Sequence, residues 1–140
     1  MSTLSISKPF YTLSLLLLLI PFLGNSQEHR IKVPKRESKI ITTDKFVEKT
    51  FKLYNKIFVY DSLTLAGVDI PADLENELME SAGRDIDSLW EVVPDILEDI
   101  SNASFMKQAK ATLNLNKAKK ALKYCGNYMK VAVLGKKEEE

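Results

Sequence analysis

Apolar residues recur at steps of three and four through residues 71–100, at Leu74, Leu78, Ala82, Ile86, Leu89, Val93, Ile96 and Ile100. At 3.6 residues per turn these positions share one face, which predicts an amphipathic helix with its stripe buried. Pro94 interrupts that pattern. It removes one hydrogen bond and clashes with the carbonyl of Trp90, at about 3 kcal/mol unless the chain bends. The pattern therefore predicts either one kinked helix or two to three short ones. Gly83 is the expected break, giving segments 71–82 and 84–100 or 84–101, with Trp90 half buried beside the bend.

Residues 44–60 carry two adjacent helical rows, Phe46, Thr50, Leu53, Ile57 and Tyr60 in one and Val47, Phe51, Tyr54 and Phe58 in the other. A buried face wider than about 100° predicts a helix with two partners, leaving Lys45, Lys49, Lys52 and Lys56 outside. Thr42 or Thr43 is the expected N-cap, with Ile41 stapled onto Phe46. In residues 61–70, Leu63, Leu65, Val68 and Ile70 are too apolar for a free loop and are expected to fold over one end of the assembly. Pro71 is placed to open the next helix.

Residues 101–104 read as a turn, with Ser104 or Asn102 as the following cap, and Asn102-Ala103-Ser104 also matches a short, common glycosylation pattern. From Phe105 a last stripe runs through Ala111, Leu115, Ala118, Leu122, Cys125, Met129 and Ala132. It predicts a helix to about Leu134 with Gly135 ending it. The competing reading stops at Gly126-Asn127 and makes the valine-rich end a short strand, since valine suits either state. Short connections favour antiparallel neighbours. The expected fold class is all-α, an antiparallel bundle of three to four helices with a kinked acidic central helix.

The first residues add a compartment. Lys8, the apolar run over 11–23 and the small residues Gly24-Asn25-Ser26 read as a secretory signal cut after Ser26. A run of 13 residues containing Pro21 falls short of the roughly 20 that a bilayer-spanning helix needs. The organisation expected is a signal peptide at 1–26, a flexible basic arm at 27–42, a helical domain at 43–135 and a charged tail at 136–140. Export would leave a periplasmic or extracellular protein with no transmembrane segment after cleavage. Cys125 is the only cysteine, so no internal disulfide is available, and its place on the last stripe predicts a small buried hydrophobe.

Net charge is +1, but it is unevenly placed. Residues 28–60 carry nine Lys or Arg against four Asp or Glu, residues 61–100 one against twelve, and residues 101–137 nine against none. The acidic middle is expected to complement both basic flanks, which speaks against nucleic acid as a partner. The lysines at 117, 119, 120 and 123 are read the same way, as paired or solvated rather than as a site for anionic lipid.

Nucleophilic catalysis usually needs a histidine base, and the only one, His29, falls in the arm. Hydrolase, metal, redox and phosphate-loop motifs are absent, the five glycines never cluster, and no cofactor is implied. Asp85, Asp87, Glu91, Asp95, Glu98 and Asp99 offer carboxylates, though a charge run opposite an apolar stripe is usually a solvated or partner-facing surface. These absences lead to a non-enzymatic protein acting through contacts with an unidentified protein partner, as adaptor, complex subunit or inhibitor. Its candidate surface is Trp90, Asp95, Glu98, Lys117 and Lys120. The alternative is a carrier or chaperone for an apolar ligand held between the aromatic first helix and residues 61–70, with a pocket at Phe51, Tyr54, Phe58 and Leu65. A second alternative is a carboxylate-based hydrolase, which requires two of those acids to converge in a cleft.

Overall fold

The computed structural model describes residues 29–138. The expected signal peptide at 1–26 lies outside the described residues, as do the last two residues of the charged tail. The chain divides into two compact units, 1–30 and 31–140, and the architecture below is that of the second. The described residues are all-helical: α1 (Ile41–Leu65), α2 (Ala72–Glu91), α3 (Val93–Ser101) and α4 (Phe105–Glu138). α1 and α4 make the most extensive contact, and α2 and α3 each pack against both of them.

The core is built from the predicted stripes. Phe46, Val47, Phe51, Leu53, Tyr54 and Ile57 of α1 meet Leu78, Ala82, Ile86 and Leu89 of α2, Val93, Ile96 and Ile100 of α3, and Ala111, Leu115, Ala118, Leu122 and Cys125 of α4. The double row on α1 is what lets one helix serve several neighbours. Alanines at 82, 111, 118 and 121 are fully buried and leave little side chain between backbones. The central stripe fails only at its start, where Leu74 is 46% exposed because α2 has just begun. Thr43 and Thr50 are also fully buried, and neither hydroxyl finds a hydrogen-bond partner among the described residues.

The interruption of the central stretch falls at Val92, not at Gly83. α2 runs through Gly83 to Glu91, and Val92 closes one helix and opens the next. Proline decides the place: Pro94 sits in the first turn of α3, where a missing N–H costs nothing. Glycine in a helix interior loses only roughly 0.5–1 kcal/mol against alanine, which the packed neighbours readily carry. A Cβ at position 83 would meet the Met129 methyl at 3.8 Å, an ordinary contact, so no close approach demands glycine there.

α1 also departs from expectation at both ends. It starts at Ile41 with Ile40 as N-cap and no side-chain cap, so neither Thr42 nor Thr43 holds that role. Asp44 supplies the junction instead: its carboxylate accepts the Ser38 N–H at 2.8 Å, the Ser38 hydroxyl at 2.7 Å and the Lys39 N–H at 3.0 Å. Lys39 takes a left-handed φ of +67° in this turn. The staple is missing, because Ile41 is 71% exposed. At its other end α1 runs five residues beyond Tyr60 and closes on Gly67. Gly67 (φ +75°) donates to the Thr64 carbonyl and Val68 to that of Leu63, the paired bonds of a glycine-terminated helix. Residues 63–68 therefore stay exposed rather than folding over an end.

The stretch expected to be a free arm is held from Ile31 onward. The Ile31 N–H donates to the Tyr54 hydroxyl at 2.9 Å, Asn114 Nδ2 donates to the Arg36 carbonyl at 2.8 Å, and Ser38 is fully buried. A tyrosine in a core needs a partner for its hydroxyl, and here the arm's backbone provides it. At the C-terminal end, α4 passes through both Gly126 and Gly135 as helix to Glu138. The strand alternative for 127–134 is thereby excluded, and Gly135 is not the stop.

Candidate interaction site

The five residues expected to form one surface fall on two. Trp90, Asp95 and Glu98 flank the Val92 break; Trp90 is 38% exposed and both carboxylates face solvent. Asp85, Asp87, Glu91 and Asp99 are exposed as well, so the carboxylates are strung along the outer faces of α2 and α3 rather than gathered in a buried cleft. Asp99 does tie elements together, accepting the Thr42 hydroxyl at 2.6 Å. Among the described residues, no group of His, Cys, Asp and Glu is arranged to hold a metal ion.

Lys117 and Lys120 belong to a different feature, a groove of about 670 Å³ between residues 32–36 and α4. Lys110, Leu113, Lys117 and Lys120 recur at steps of three and four beside the buried stripe, so one helical face presents them together. Lys32, Lys35 and Arg36 come from the facing segment, and Val33, Pro34 and Leu113 contribute apolar surface. Six cationic side chains line the groove and no carboxylate does. Leu113 is 68% exposed. The Asn114–Arg36 hydrogen bond fixes the segment along the helix and so gives the groove its second wall.

Sequence reasoning found the helix side of this groove and missed the arm side. The basic run at Lys35-Arg36 was visible, but its position depends on Tyr54 and Asn114 accepting and donating to backbone groups far away in the chain. Nothing in local composition signals such a bond.

The expected complementarity between acidic and basic helices takes a looser form than pairing. The ion pairs found among the described residues are Lys39–Glu37 at 3.5 Å and Arg84–Glu80 at 3.0 Å, and neither joins two helices. Lys49, Lys52 and Lys56 of α1 share a groove with Asp85 of α2, yet no ion pair closes across it.

Three of the four residues named for an apolar pocket share one cluster, and the fourth, Leu65, does not join it. Phe51 and Tyr54 are buried in an aromatic cluster, with ring centres 6.0 Å apart and Tyr124 5.3 Å from Tyr54, and the partly buried Phe58 packs against Tyr54 at 5.7 Å. Leu65, at 82% exposure, is outside that cluster. The Tyr124 hydroxyl donates to the Asp61 carboxylate, closing the cluster's edge with a polar contact. Burial pushes the Tyr128 hydroxyl above its ordinary range, helped by the negative charges of Asp61 and Glu75.

Among the described residues, no helix is long and apolar enough to cross a membrane. Fold and surface thus define an all-helical protein with an acidic outer face on α2 and α3 and a basic groove beside α4. In comparisons with known proteins, no family model, no curated protein and no solved structure matches the chain.

Proposed function

We propose that this chain is an exported, non-enzymatic protein, an antiparallel helical bundle that works through protein contacts as an adaptor, complex subunit or inhibitor. What supports the reading is the open state of its charges: Asp85, Asp87, Glu91, Asp95 and Glu98 of α2 and α3 and Lys49, Lys52, Lys56, Lys117 and Lys120 of α1 and α4 are exposed, and among the described residues no ion pair joins the two sets. Exposed pairs contribute only about 0–1 kcal/mol each, so the fold loses little by leaving them open. Open charge of both signs steers encounter and selects partners by complementarity. The regions assigned to contact are Trp90, Asp95 and Glu98 on one side and Lys117 and Lys120 on the other.

The test uses residues 27–140 as bait in extract from the native source, at low and high salt, beside the double variant Asp95→Lys/Glu98→Lys. The expected outcome is a specific protein retained at low salt, released at high salt and depleted by the variant. A bait that retains nothing above a charge-matched control protein overturns the reading.

A further inference from the structure

We propose that the groove between residues 32–36 and α4 receives an extended acidic segment of a partner protein, with carboxylates alternating with apolar side chains. This rests on the protein-contact reading and supplies the chemistry of the partner. Cations on both walls with no carboxylate among them call for an anionic occupant, and the apolar surface of Val33 and Leu113 between them calls for one that is not purely polar. Residues 31–34 lie outside any helix or strand and the chain bends at Lys35 and Arg36, so this wall of the groove is irregular backbone. An extended peptide turns alternate side chains to opposite sides, so its carboxylates reach the cations while its apolar residues reach Val33 and Leu113.

The dimensions agree. Lys110 and Lys120 are separated by about 15 Å along the helix axis at 1.5 Å per residue, the span of about five extended residues at 3.3 Å each. Single-stranded nucleic acid is the weaker candidate, because no aromatic side chain lines the groove to stack on bases. A second copy of this chain is also disfavoured. Its acidic stretch is helical and so does not turn alternate side chains to opposite sides, and an acidic-face-to-groove contact between copies is head-to-tail, which propagates into open filaments unless it closes.

Fluorescence anisotropy with a labelled peptide of alternating glutamate and valine, about eight residues long to overhang both ends at 3.3 Å per residue, tests this on residues 27–140. Saturable binding is expected at low salt, with loss at high salt and none for the lysine–valine counterpart. Lys117→Glu/Lys120→Glu should weaken binding about tenfold, whereas Lys49→Glu/Lys52→Glu, with the same change in net charge outside the groove, should alter it by less than about twofold. All four positions are exposed, and circular dichroism verifies that each variant is folded. Equal loss in both variants overturns the groove in favour of general charge attraction. Tighter binding of an oligonucleotide of matched charge overturns the peptide assignment. Self-association abolished by the groove variant, in sedimentation, assigns the site to a second copy instead. If peptide binding fails while the extract still yields a partner that Lys117→Glu/Lys120→Glu retains, the inference falls and the protein-contact reading stands.

Discussion

Single side chains carry much of what distinguishes this fold from a generic helical assembly. Tyr54 is one: its ring completes an aromatic cluster and its hydroxyl anchors the backbone of Ile31. Cys125 is another, fully buried, with its thiol pushed up to about 12 by that burial. The thiolate is the nucleophile, so a thiol reagent at mildly alkaline pH should label the native protein very slowly and the denatured protein at once. Fast native labelling would refute the burial. The shift also sets a pH dependence. A thiol raised in the folded state favours folding below the ordinary thiol range, and that contribution is lost as pH climbs toward about 12. The stability advantage of the native chain over Cys125→Ala, measured by denaturant unfolding, should therefore shrink across that alkaline window.

At the scale of elements, helix ends were the least legible part. The interiors follow from periodicity, as the burial of Leu78, Ala82, Ile86 and Leu89 shows. The ends depend on local bonds that composition does not reveal. Thr42 looked like a cap but spends its hydroxyl on Asp99 in α3, and Asp44 takes over by holding Ser38 and Lys39 ahead of the helix. Asp44→Ala removes the acceptor of three hydrogen bonds at a partly buried junction. It should cost about 1–3 kcal/mol, with faster hydrogen exchange at Ser38 and Lys39 as the local readout. Unchanged stability and exchange would mean that packing of Ile40 alone positions the junction. Glycine was over-read in the same way: Gly83 and Gly135 lie within helices, and among the described glycines only Gly67, at positive φ, ends one.

For the molecule as a whole, the uneven charge was expected to make the acidic and basic helices complementary neighbours. The helices are instead joined by apolar stripes, with the charges exposed around them. The midpoint of thermal unfolding should accordingly change little between low and high salt, since each of the two exposed ion pairs found among the described residues is worth only about 0–1 kcal/mol. A steep loss of stability with salt would show that the unclosed lysine–carboxylate neighbours, such as Lys52 and Asp85, do hold the assembly. The candidate surface changed most at this scale. Its lysines acquired a second wall from residues 32–36, while Trp90, Asp95 and Glu98 remained with the Val92 break.

By itself the sequence determined the all-helical class, the three long stripes and the burial of Cys125, because each depends on side-chain periodicity that a 3.6-residue repeat converts directly into a buried face. The docking of the arm and the cationic groove were decided only in the tertiary structure. These features depend on hydrogen bonds between residues far apart in the chain, Ile31 with Tyr54 and Arg36 with Asn114. Local pattern is blind to both.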